Sequence, residues 1–224
     1  TRNKKFGLPK NWSLFKTSNE GKKIKFYFFH DFTDNGISII KYDKTNCKEI
    51  QIIKYEGDKI PNNDIYGVIR FSFGSTILKK KKYYYGIGHF KCFYKSKDLN
   101  SSNKHIHDKI ISIKNVLLKG AKKNNVKLHP SKMYGYYYFR YNEDSGKFLL
   151  SDGFILFPRC TKYLIPLCFP MSMEERYDKV FISLGYGDYT NLIMKTSTKE
   201  IDKLLIHNAK RFDLKKYNVR ISLM

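Results

Sequence analysis

Hydrophobic and polar positions alternate along most of this chain, in short runs separated by polar turns. Residues 24–30 are strand-like and strongly aromatic. Asp34, Asn35 and Gly36 supply a hairpin turn signal. Residues 37–42 form a second predicted strand. A third covers 47–55, with Ile50, Ile52 and Ile53 apolar. Successive strands on such short turns predict an antiparallel meander. After a polar loop at 56–64, residues 68–78 read as a strand. Lys79 to Lys82 read as a solvated hairpin tip, and residues 83–94 as a longer strand. Residues 95–127 look least ordered, although Ile106, Ile110, Ile113 and Leu117 have the spacing of a short surface helix. Strand character resumes over 133–141, and residues 142–146 form a turn. It continues through 147–150 and 153–157, and residues 163–169 lead into another turn.

Residues 180–194 organise the C-terminal third. Val180, Ile182 and Leu184 alternate as in a half-buried strand, and the chain returns through Leu192, Ile193 and Met194. Between them Gly185 and Gly187 flank Tyr186, and Asp188 follows at the tip. Glycine lets backbone turn and lets a ligand approach; from spacing alone a tight hairpin with a solvated Asp is the favoured reading, because Gly and Asp are the ordinary turn residues. Ser197 and Glu200 then have capping-box spacing and predict a short helix carrying Ile201, Leu204 and Leu205 on one face.

Ten to twelve short strands with few helices predict an all-β sandwich, barrel or propeller. Repeated meanders favour the propeller, each meander being one blade. The 224 residues carry no Pro/Gly/Ser-rich break, so residues 1–224 read as a single domain. The first residue is Thr, and the chain is read as a fragment or processed product of a longer one. Lys+Arg of 43 against Asp+Glu of 20 gives a net charge of +23, which attracts polyanions. The Lys-, Asn-, Ile- and Tyr-rich usage also fits an AT-rich coding source, which would scatter lysines over many faces. Weak, non-specific polyanion binding is therefore expected. Cys47, Cys92, Cys160 and Cys168 form no C-x-x-C pair, which predicts free, mostly buried thiols in a reducing compartment. His105 and His107 stand two apart without a third ligand, so no metal site is expected. No apolar run reaches transmembrane length.

Several blocks, in order, resemble a family of five-bladed propellers related to β-mannoside phosphorylases and β-1,2-mannosyltransferases, with members in large DNA viruses. Asn11-Trp12-Ser13-Leu14-Phe15 resembles the K-N-W-S-P-F opening, and Gly74-Ser75-Thr76 the G-G-T/S-P block. Tyr85 to Lys91 resembles the Y-x-G-x-G-H strand. His129 with Met133-Tyr134-Gly135-Tyr136-Tyr137 resembles the H-x-x-Y segment, and Ser183 to Asp188 the S-Y-G-x-x-D block. Leu184, Phe73 and Ile77 depart from the family's Tyr, Gly and Pro. The resemblance implies a sugar or sugar phosphate bound at the propeller axis, no cofactor, and a cytoplasmic or virion-associated location. It makes Asp188 the catalytic candidate. Trp12, Ser75, Thr76, His89 and His129 become candidates for binding substrate. The arginine-rich segment that holds phosphate in phosphorylases has no clear counterpart, and Arg70 and Arg140 stand nearest to it.

Three readings follow. The first is a glycosyltransferase-like or phosphorylase-like enzyme. The second is a non-catalytic carbohydrate-binding or structural propeller. The third is a nucleic-acid binder driven by charge. Taken without the resemblance, Trp12 reads as a core anchor and His89, beyond Gly86 and Gly88, as a core histidine or a ligand to a hydroxyl or phosphate. Asp188 has no carboxylate partner in the matched blocks, so it reads as a sugar-binding residue before a general acid.

Overall fold

The computed structural model describes residues 12–20, 23–33, 35–43, 46–56, 69–93, 104–123, 132–157, 168–186, 190–213 and 216–223. They form β1 (Ser13–Glu20), β2 (Lys23–Thr33), β3 (Gly36–Asp43), β4 (Asn46–Lys54), β5 (Ile69–Ser72), β6 (Leu78–Lys80) and β7 (Tyr83–Phe93). Helix α1 (Lys104–Lys123) follows, then β8 (Lys132–Asn142), β9 (Lys147–Ser151), β10 (Gly153–Phe157), β11 (Cys168–Arg176), β12 (Lys179–Tyr186) and β13 (Thr190–Thr196). Helix α2 (Thr198–Leu204), β14 (Leu205–Asn208), a 3-10 turn (Ala209–Arg211) and β15 (Val219–Leu223) complete the order.

The predicted all-β class, mostly antiparallel with few helices, is what is found. The first sheet is the meander β1-β2-β3-β4, and the third is the meander β11-β12-β13. The central sheet is built on β7 and β8, paired from Tyr83↔Asn142 to Phe93↔Lys132. β5 and β6 flank the free edge of β7 in two pieces, and β9 and β10 do the same for β8. Beyond them β14 runs antiparallel to β9, while β15 runs parallel to β10. That parallel pair departs from the antiparallel expectation. Among the described residues, none of the three sheets closes on itself.

The sheets stack in three layers. On one face of the central sheet Phe71, Phe73, Tyr84, Phe90, Tyr137 and Phe139 pack against Phe29, Phe32, Ile37, Ile39 and Ile53 of the first sheet. On the other, Tyr85, Ile87, Tyr136, Tyr138 and Leu156 meet Met173, Val180, Ile182, Leu184 and Tyr186 of the third, with Ile201 of α2. Burial of both faces explains why residues 133–141 read as an almost unbroken aromatic run. It also explains the glycines of β7. A Cβ on Gly86 would overlap the ring of Phe139, and one on Gly88 the ring of Tyr137. Each glycine is the cross-strand partner of the ring that covers it.

Local departures have local causes. β1 was hidden by its polar alternation of Lys16, Ser18 and Glu20 with Thr17 and Asn19. The strand expected over 68–78 breaks at 73–77, where Gly74 takes φ +146°. β11 runs on through Pro170, where the register shifts by a bulge that tolerates the missing N–H. The expected short surface helix is the 20-residue α1, whose Ala121 is buried in the first core. α2 starts as predicted. Ser197 is its N-cap, and its side chain accepts from the Glu200 N–H at 3.2 Å.

Candidate functional site

β7 alternates between the two cores. Tyr84 and Phe90 face the first sheet, and Tyr85 and Ile87 face the third. His89 has the parity of Ile87, so it lies between the central and third sheets, wholly buried. Its ring packs on Phe169 with centroids 4.4 Å apart. Phe169 also packs on Tyr134 at 5.6 Å, and the Lys91 ammonium lies 5.1 Å from the Tyr134 ring centroid. In register, Ser72, His89 and Tyr136 form one row across three strands, and Arg70, Lys91 and Tyr134 form the next. The corner is thus basic and aromatic.

The end of β12 meets this corner. Phe169 is the Cα partner of Gly185, and Cys168 that of Tyr186. The Tyr186 hydroxyl donates to the Leu156 carbonyl at 3.2 Å, anchoring that end to β10. Burial pushes the Cys168 thiol up to about 12, so it stays protonated and unreactive. Cys47 and Cys168 are both free thiols. Asp188 and His129 lie outside the described residues.

Other sequence-predicted residues are spent on the fold. The Ser75 hydroxyl accepts from the Ile87 N–H and donates to the Thr76 carbonyl, each at 3.0 Å. The Thr76 hydroxyl accepts from Met173 N–H at 2.8 Å and donates to Met173 C=O at 3.3 Å, stitching the central sheet to the third. Arg140 donates to Asp202 at 2.6 Å and lies 4.6 Å over the Tyr83 ring. Arg140 pairs with Tyr85 and Arg70 with Lys91, six residues apart along β7 and hence about 20 Å. The structure does not bring the two arginines together. Trp12 is half-buried on the outer face of the first sheet, against Phe28 at 5.4 Å and His30 at 5.1 Å. It lies a layer away from His89.

Three features escaped the sequence. Lys91, Tyr134 and Phe169 complete the His89 corner; Lys91 and Tyr134 stand inside the blocks quoted above without a role there, and Phe169 carried no signal. Asp152 is a buried carboxylate between β9 and β10 that takes four donors. These are His207 Nε2 at 2.8 Å, Asn218 N–H at 3.2 Å, Arg220 Nε at 3.1 Å and Arg220 Nη2 at 3.0 Å. A carboxylate so saturated by its own chain is a clamp on β14 and β15. Its signal was a charge inside the apolar run 148–157. Last, a groove of about 440 Å³ follows β4, lined by Gln51, Lys54, Tyr55, Glu56, Gly146 and Lys210. None of the sequence-predicted residues lines it.

Among the described residues no three His, Cys, Asp or Glu side chains gather to hold a metal ion. Among them, too, no helix is long and apolar enough to cross a membrane. Set against protein-family models, curated proteins and solved structures, the chain has no match.

Proposed function

We propose that this chain is a carbohydrate-active protein of β-propeller type, glycosyltransferase-like or glycoside-phosphorylase-like, taking a sugar or sugar phosphate at the His89 corner. One observation carries the reading. Phe169 packs on His89 and pairs with Gly185, so the end of β12 is laid beside the second glycine-rich block although about a hundred residues separate them. Asp188 follows Tyr186 by two residues, and covalent geometry limits their separation to roughly 7 Å. In this reading Asp188 accepts from sugar hydroxyls, and the half-buried Phe169 offers its ring to the sugar C–H surface, with the buried Tyr134 packed beside it. Lys91 supplies positive charge to a phosphate. His89, being buried, supports Phe169 from behind. Three sheets stacked face to face, the outer two of them meanders, are one layer more than a two-sheet sandwich has, which supports the propeller reading.

The test is a calorimetric titration of sugars, sugar phosphates and nucleotide sugars. Asp188→Asn is expected to weaken binding of whichever is taken by roughly ten- to a hundred-fold, the loss of one charged acceptor, with Tm unchanged. An Asp188→Asn protein that binds unchanged removes the site. Heats absent for every compound favour a structural, non-binding propeller.

A further inference from the structure

Among the described residues, three that are not glycine have φ in the left-handed region: Lys81 at +56°, Tyr177 at +50° and Asp178 at +57°. All three sit on two hairpin tips. Lys80 pairs with Tyr83, so Lys81 and Lys82 are the two-residue turn between β6 and β7. Arg176 pairs with Lys179, so Tyr177 and Asp178 are the turn between β11 and β12. Such turns ordinarily take Gly, Asn or Asp at the left-handed position, because other side chains crowd the backbone there. Lysine and tyrosine are therefore held where a smaller residue would be more stable. Strain kept in this way is a pointer to use rather than to folding.

The two tips are neighbours. Lys80 of one donates to Glu175 of the other at 2.5 Å, and Asp178 lies close enough to help hold the Lys80 ammonium above its ordinary pKa, after the bond from Glu175. A few residues back from the two tips, Thr76, just before β6, is bonded to Met173 of β11 across the same pair of sheets. The joint tip carries Lys79, Lys81, Lys82 and Lys179, all exposed, beside Tyr177, whose ring is 98 % exposed. Lys79 lies over Tyr84 at 5.4 Å, on the first-sheet face of β7, and Lys82 over Tyr83 at 5.6 Å, on the third-sheet face, so the ammoniums flank the tip on both sides. An unburied aromatic face next to an array of cations is the combination that single-stranded nucleic acid uses, a base on the ring and phosphates on the lysines. One tyrosine offers too little apolar surface to enter lipid, so the chemistry favours nucleic acid over an anionic membrane.

We propose that the paired β6–β7 and β11–β12 tips form a binding site for single-stranded nucleic acid, separate from the sugar site and independent of it. Fluorescence anisotropy of the whole chain with a labelled pyrimidine oligonucleotide, over a range of salt concentrations, tests it. Tyr177→Ala is expected to weaken binding about ten-fold. The triple change Lys79→Ala, Lys81→Ala, Lys82→Ala should flatten the log–log salt slope by about 2, the share of three phosphate contacts. Lys81→Gly is expected to raise Tm and lower affinity together, since it relieves the turn and removes a cation. Affinity untouched by Tyr177→Ala, or a salt slope untouched by the triple change, overturns the site and leaves only diffuse attraction by net charge. Binding to phosphatidylserine vesicles without binding to the oligonucleotide overturns it also.

Discussion

Single glycines decide whether the aromatic layers fit. Gly88 faces Tyr137, which is wholly buried and fixed by its hydroxyl bond to the Ser72 carbonyl at 3.1 Å. The ring cannot retreat from an added methyl. Gly88→Ala is therefore expected to cost about 1–3 kcal/mol, the range of an overpacked core, read as a fall in urea midpoint. Gly185 looks the same in the sequence, yet a Cβ there meets only Met171 Sδ at 3.5 Å and Phe169 at 3.8 Å or more, ordinary contact distances. Gly185→Ala should leave the midpoint nearly unchanged. In the sequence both glycines read as places where a ligand approaches. In the structure the space beside Gly86 and Gly88 is filled by the chain's own rings, and only the surroundings of Gly185 stay open. A residue's type does not say which neighbour fills the space beside it.

At the scale of elements, the hairpins were legible and the joints between sheets were not. Alternation and turn residues marked β2, β3, β4, β7, β8, β12 and β13 within a few residues. β14 and β15 were missed because they are short, and because the bond that holds them comes from Asp152, far away in sequence. Asp152→Ala removes the acceptor shared by His207, Asn218 and Arg220. Arg220 is half-exposed and can find water, but His207 is buried. The expected cost is about 2–4 kcal/mol, measured by chemical denaturation, with hydrogen exchange quickening first in β14 and β15.

For the whole molecule, acid is expected to act in two stages. Burial holds the His30 imidazole below its ordinary value of 6.5, against the pull of Asp31 and Glu49. The unfolded chain takes up this proton first, so stability declines as pH falls through the window beneath 6.5. A second stage begins below 4.5. Burial raises the Glu143 carboxyl, but bonds from Lys16 and Tyr84 and the Lys16 charge outweigh it and hold the group lower. Glu200 is held lower by the Thr196 and Ser197 hydroxyls. Both carboxylates stabilise the fold above 4.5 and lose that contribution as pH falls through their folded values. Thermal melts from pH 8 to pH 3 should show both declines. His30→Phe should remove the first and Glu143→Gln shrink the second, and identical profiles in either variant would contradict the assignment.

By itself the sequence determined the all-β class, most strand positions and the start of α2. These follow from local chemistry: side-chain alternation, turn residues and a helix cap are read within a few residues. It also singled out His89 and the end of the strand that precedes Asp188, two blocks that the structure lays on one corner. Only the tertiary structure decided that three sheets stack with the central one buried on both faces. It alone set Trp12 and His89 on different layers, spent Ser75 and Thr76 on joining sheets, and put Arg70 and Arg140 at opposite ends of β7. Those outcomes depend on which face meets which, and double burial erases the alternation that would have told the faces apart.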